Sequence, residues 1–238
     1  MRAIEGTLRT RGEVTFTSRE VGRLADTEPY LLNTALYYAL ELASGRYVDT
    51  NYEPTYLEDT AEVADELYVS PAAPVPGTSP TYVTTTYSPS RDEYVEVNYS
   101  AQDDPYEKQN LPSYGRRRSL THGTELRFFL LARGGDPPTD RLPTYIRLGK
   151  KRGKARVEFD DRPVSEQSGE YRLNHPISAY DSDQAPVGNV VTKSMRPAPL
   201  VLQGDYDGTY LSIDRADVET PPDRVRLPAD LRFLKSKI

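Results

Sequence analysis

The chain has 238 residues, 37% of them hydrophobic, with 18 tyrosines and no cysteine, enough apolar and aromatic surface to bury a core and nothing for disulfide or thiol chemistry. Only His122 and His175 could serve as imidazole ligands, so a zinc site would need mostly carboxylates and no metal or other cofactor is expected. The net charge of −6 is spread unevenly: residues 48–104 hold twelve acids and one base, whereas residues 105–156 hold thirteen bases and four acids, so an acidic chain carries the local positive potential that a polyanion requires.

No stretch approaches the roughly 18 apolar residues of a membrane span, and the first residues lack a signal-peptide pattern, which predicts a soluble, cytoplasmic protein without membrane contact. Arginine outnumbers lysine 23 to 7, a bias that with the acid excess fits adaptation to high salt. Three of the seven lysines nevertheless fall at 150, 151 and 154, so that cluster stands apart from the background composition.

Residues 2–10 set Ile4, Gly6 and Leu8 against Arg2, Glu5 and Arg9, an imperfect alternation that predicts a first strand, with a second over Val14–Thr17. A helix is predicted over Thr27–Ala43, capped by Asp26 or Thr27, with Pro29 in its first turn, Leu31, Ala35, Tyr38 and Leu42 on its apolar face, and Ser44-Gly45 as its stop. A shorter helix is expected over Leu57–Leu67, then an extended proline-rich stretch from Tyr68 to Pro74. Tyr82–Tyr87 and Tyr94–Tyr99 read as the two arms of an acidic β-hairpin, and Leu126–Ala132 as the most buried strand. Short strands should follow within 143–159, and strands at Pro199–Gln203 and Thr209–Ile213 around an Asp207-Gly208 turn.

The sharpest functional signal is Arg147-Leu148-Gly149-Lys150-Lys151-Arg152-Gly153-Lys154-Ala155-Arg156, with six bases, no acid, and two glycines that would let the backbone approach a polyanion. RNA phosphates are its natural counterpart; a basic strand edge that blocks edge pairing is the alternative. It is not a phosphate-binding P-loop, since the glycine spacing is one residue short and Ala155 stands where Ser or Thr should be. A second cluster, Leu111-Pro112-Ser113-Tyr114-Gly115-Arg116-Arg117-Arg118-Ser119, reads as a loop that places a stackable ring before three guanidinium groups, or as a surface loop paired with the acidic segment of its own chain. Arg19 and Arg23 lie in a loop between the second strand and the main helix, where they either contact ligand or pair Glu20, Asp26 or Glu28. His122, with Tyr114 and Lys150, is what a metal-independent ribonuclease could use, but a histidine before glycine reads better as a turn residue, and no catalytic site is assigned.

Four blocks in order resemble a known family, the type I-D Cascade subunit of the Cas-five group of RAMP proteins, also called the Csc-one family. They are Phe16–Gly22 running into Thr27–Leu31, then Tyr68–Ala72, Leu111–Arg116, and Leu142–Lys150. The resemblance covers residues 1–160 and implies an α+β fold: a ferredoxin-like, RNA-recognition-type core with an inserted β-rich thumb over about 68–120. Residues 161–238 would form an irregular β-rich C-terminal elaboration on the same core. It further implies a non-enzymatic subunit that grips the 5′ handle of the crRNA beside the large Cascade subunit and the repeated backbone subunit, with target DNA engaged indirectly or by proximity. The residues expected to contact RNA are Arg19, Arg23, Ser113, Tyr114, Gly115, Arg116, Arg117, Arg118, His122, Arg147, Lys150, Lys151, Arg152 and Lys154. Repeat-RNA cleavage, and an acidic β-rich interaction protein with no RNA role, are the two other readings.

Overall fold

The computed structural model describes residues 1–16, 18–21, 24–45, 55–87, 115–134, 141–150, 152–216 and 220–235. The first half runs β1 (Arg2–Thr10), β2 (Arg19–Val21), β3 (Leu24–Asp26), α1 (Asn33–Ala39), α2 (Tyr56–Thr60), β4 (Leu67–Val69), β5 (Ala73–Pro74) and β6 (Tyr82–Tyr87). It continues with β7 (Gly115–Leu120), β8 (Glu125–Ala132), β9 (Tyr145–Leu148), β10 (Gly153–Arg162) and β11 (Val164–Leu173). The last elements are β12 (Ile177–Ser178), β13 (Gly188–Lys193), β14 (Leu200–Asp214) and β15 (Arg224–Pro228). The protein is thus β-rich, with two short helices among the described residues, rather than an even α+β mixture.

Three sheets organise these strands. The first has the order β4-β8-β1-β10-β9, with β5 also on β8; the second is built on β14, which pairs β11, β12, β13 and β15; the third has the order β2-β3-β7-β6. Neighbours are antiparallel except β3 and β7. The first sheet is the middle layer. On one face Ile4, Leu8, Leu126, Phe128 and Leu130 pack under Leu36 and Tyr37 of α1 and Leu40 at its end. On the other, Ala3, Phe129 and Leu131 meet Leu173, Leu211, Ile213 and Leu227 of the second sheet. Burial on both faces explains the imperfect alternation of β1 and the unbroken apolar run of β8.

Several sequence expectations are corrected. Of the strand expected over Val14–Thr17, the described residues 14–16 form only one isolated bridge, from Val14 to Leu120. The main helix is only seven residues long. Asp26 belongs to β3, the Thr27 hydroxyl exchanges hydrogen bonds with the backbone of Phe16, and Leu31 bridges Ala72, so residues 26–31 are held extended by partners distant in sequence. The buried face is Leu36, Tyr37 and Leu40 while Ala35 and Tyr38 are exposed; apolar residues occur all round Leu31–Leu42, so the periodicity admitted two phases. The shorter helix stops at Thr60. Asp207-Gly208 is no turn but lies mid-strand in β14, opposite Gly169 and Glu170 of β11, because the unbroken ladder with β11 overrides the local turn signal. β6 pairs β7, and Tyr94–Tyr99 lies outside the described residues.

Candidate nucleic-acid interface

Strands β9 and β10 form a hairpin in which Arg147 faces Lys154 and Leu148 faces Gly153. Strand alternation buries Ile146, Leu148 and Ala155 in the core under α1 and turns Tyr145, Arg147 and Lys154 to the surface. Lys154 Nζ sits 4.2 Å from the centre of the Tyr145 ring. At the tip, Gly149 has φ +70°, the Lys150 amide donates to the Thr15 carbonyl at 2.8 Å, and the Arg152 amide donates to the Gly149 carbonyl at 3.0 Å. Arg147 Nη1 donates to the Arg152 carbonyl at 3.2 Å. A Cβ on Gly149 would lie 2.1 Å from the Thr15 carbonyl oxygen, and one on Gly153 would lie 2.2 Å from that of Glu13. The glycines therefore serve a different approach from the one expected: they let the hairpin lie against residues 13–15 of its own chain. The side chains of Lys150 and Arg152 are exposed there, and Lys151 lies outside the described residues.

The same short segment carries the second basic cluster on its other side. Thr15 Oγ1 and Ser119 Oγ are 2.8 Å apart, and Val14 and Leu120 exchange backbone hydrogen bonds. The expected loop at 114–118 is, from Gly115 onward, strand β7. Arg116 is exposed and Arg117 partly so, whereas Arg118 is committed internally: its Nε and Nη2 donate to the Asp26 carboxylate at 2.5 and 3.0 Å, and its guanidinium lies 4.5 Å from the centre of the Tyr82 ring. Gly115 is buried, and Ser113 and Tyr114 lie outside the described residues. Residues 13–16 thus bring together two basic blocks about thirty positions apart in sequence.

The remaining candidates are Arg19, Arg23 and His122. Arg19 begins β2, paired with Asp26 in the register of β3, so that its segment is a strand rather than a loop; Arg23 and the side chain of Arg19 fall outside the described residues. His122 is exposed in the turn between β7 and β8, next to Gly123, whose amide donates to the Thr10 carbonyl. The other histidine is structural. His175 is buried, with its Nε2 2.9 Å from Ser70 Oγ and 3.0 Å from the Pro71 carbonyl, and burial with the nearby Arg127 charge brings its pKa down to about 3. No group of three or more potential metal ligands occurs among the described residues, and no described helix is long and apolar enough to cross a membrane.

Fold and surface define a layered β protein that presents cations from a hairpin tip and a neighbouring strand. The family model for type I-D CRISPR-associated protein Cas5/Csc1 matches residues 1–236. The chain belongs to that family and is a Cas5-type CRISPR subunit. No curated protein sequence matches it. Among solved structures it is similar to a CRISPR protein from Archaeoglobus fulgidus, at 10% identity and TM-score 0.49, over 96% of this chain and 100% of that one. A chain of a type III-B Cmr-beta complex bound to cognate target RNA and AMPPnP matches at 11% identity and TM-score 0.49, over 86% of each chain. A chain of a type IV-B CRISPR complex matches at 10% identity and TM-score 0.34, over 66% of this chain and 90% of that one.

Proposed function

We propose that the protein is a non-catalytic subunit of the type I-D effector complex that holds the 5′ handle of the crRNA and caps the backbone of the assembly. The observation that carries this reading is the convergence of the β9–β10 hairpin tip and the exposed start of β7 on residues 13–16. Lys150 and Arg152 on one side and Arg116 and Arg117 on the other can neutralise successive phosphates. Arg118, fixed on Asp26, acts here as a positioning residue for β7. Sequence recognition of target DNA is then delegated to the guide, and the protein meets DNA by proximity. Its neighbours in the complex would be the large subunit and the repeated backbone subunit, and its location the cytoplasm. The order β4-β8-β1-β10, with α1 between β1 and β4, supports a ferredoxin-like reading of the first sheet in which the hairpin strand β9 occupies part of the second crossover.

The test uses the full chain purified with its neighbouring subunits, and guide RNA with or without the 5′ handle. The handle should strengthen binding, the triple substitution K150E/K151E/R152E should abolish that gain, and the RNA should remain uncut. Binding that ignores the handle overturns the reading. Metal-independent cleavage that is lost in H122A would replace it with the endoribonuclease reading.

A further inference from the structure

The second sheet covers only half of the face it packs against. Ala3, Glu5, Arg127, Phe129 and Leu131 lie beneath it or beside it, and the same face continues past them uncovered. Strand register shows what the open half carries. Glu125, Arg9, Arg156 and Tyr145 stand in one row across β8, β1, β10 and β9. The next row outward holds Lys154 and Arg147, and the Arg11 amide donates to the Lys154 carbonyl at 2.7 Å.

Charge in this half is unbalanced. Arg9 pairs Glu125 at 2.8 Å and Arg156 pairs Glu158 at 3.0 Å, but Arg11, Arg147 and Lys154 have no carboxylate partner among the described residues. Along the first row lies a cleft of about 90 Å³ lined by Thr7, Arg9, Arg11, Glu125, Arg156 and Glu158. The Nε of Arg156 is buried and has no hydrogen-bond partner among the described residues, an unmet donor at the rim of this cleft. Tyr145 is 52% exposed at the end of the first row, one of the few large apolar side chains so placed. Side chains two residues apart on one strand face are separated by about 7 Å, comparable with neighbouring phosphates on an extended single strand.

We propose that this open half-sheet is a second single-stranded RNA site, on which Arg9 and Arg156 hold one phosphate, Arg147 and Lys154 the next, and Tyr145 stacks on an unpaired base. The proposal rests on the RNA-binding reading above and extends it from the hairpin tip onto the sheet, to residues on β1 that no sequence motif marks. Three kinds of observation converge on it: two rows in which cations outnumber the single carboxylate Glu125, the unmet Arg156 donor, and the exposed ring at their end.

The experiment compares R9Q/R156Q, Y145A and K150E/R152E with the parent in the same ribonucleoprotein complex, by RNA affinity across a salt series and by photocrosslinking to guide RNA carrying 4-thiouridine at single positions. R9Q/R156Q should flatten the log affinity against log salt slope by roughly 0.7 for each phosphate that is no longer neutralised. Y145A, a surface change that leaves the fold intact, should lower affinity by about tenfold with the slope unchanged, and the parent should crosslink at Tyr145. If K150E/R152E weakens binding while R9Q/R156Q and Y145A leave affinity, slope and crosslinks unaltered, the sheet site is wrong and the hairpin reading stands. If none of the three changes binding, the RNA reading itself falls.

Discussion

Arginines on one face of one sheet meet opposite fates, depending on which half they occupy. In the covered half a single carboxylate gathers three guanidinium groups: Arg215 Nη2 and Nε donate to Glu5 at 2.8 and 2.9 Å, Arg162 Nε donates at 2.8 Å, and Arg127 Nη1 lies 4.0 Å away. Arg215 also donates to the carbonyls of Thr220 and Pro222, so its charge is fully enclosed by protein acceptors. Burial would push the Glu5 carboxyl upward, but the hydrogen bonds and charges of Arg215 and Arg162, with Arg127 nearby, hold it below its ordinary value. Burial and the Arg215 charge bring Arg127 down to about 10. In the open half Arg9 and Arg147 reach water. The lesson is that a count of basic residues does not measure a polyanion site: those around Glu5 hold layers together, and only the uncovered ones can meet a phosphate.

The comparison is broken most forcefully at Glu5. E5Q leaves three buried cations around a neutral amide, which should cost about 3–5 kcal/mol of stability, seen as a large drop in the denaturation midpoint. An unchanged midpoint would mean that the cluster contributes nothing to layer packing. The next largest effect belongs to the hairpin tip. G149V puts a β-branched side chain at φ +70° and against the Thr15 carbonyl, and should cost on the order of 2–3 kcal/mol. It should also weaken handle binding beyond what the folded fraction explains, because the tip can no longer lie on residues 13–15.

A smaller effect separates two buried groups in the covered region by the sign of their pH dependence. Asp181 accepts hydrogen bonds from Tyr68, Asn33 and the Leu234 amide, yet burial raises its pKa to about 7. Between pH 4 and 7 the native state therefore holds a proton that the unfolded chain has released, and stability falls as pH rises. His175, with its pKa near 3, works in the opposite sense: the unfolded chain is protonated below about 6.5 and the native state is not, so stability rises with pH. The two slopes, each at most about 1.4 kcal/mol per pH unit, oppose one another between pH 4 and 6.5. D181N should expose the rising slope and H175N the falling one, in denaturation midpoints measured across that range. Slopes of the same sign in both variants would refute the assignment.

What the sequence made legible followed from local pattern. The runs at 2–10 and 126–132 marked the two central strands, and the density of bases at 147–156 marked the hairpin. What it hid depended on long-range pairing. Thr27 reads as a helix cap until its hydroxyl is seen on Phe16, Asp207-Gly208 reads as a turn until β11 and Gly169 are placed opposite, and Arg118 reads as a free cation until Asp26, 92 residues away, is brought to it. Neither Arg9 nor Tyr145 was marked as an RNA contact in sequence, since only the register of β1, β10 and β9 sets them in one row.

The smallest expected effect is the one that decides the comparison. Arg9 and Arg162 project from the same face, Arg9 opposite Arg156 and Arg162 opposite Ala3, and each pairs a carboxylate at 2.8 Å. Contact distance alone would rank them equal. Their surroundings do not: the Arg9 side chain is 51% exposed and that of Arg162 10%, so water can replace the partner of Glu125 but not the hydrogen bond that Arg162 gives to Glu5. R9Q should therefore shift stability by no more than about 0.5 kcal/mol, as an exposed pair does, while R162Q costs about 2 kcal/mol or more. Equal losses would mean that the open half is as structural as the covered one, and would leave Arg9 no reason to be kept for a ligand.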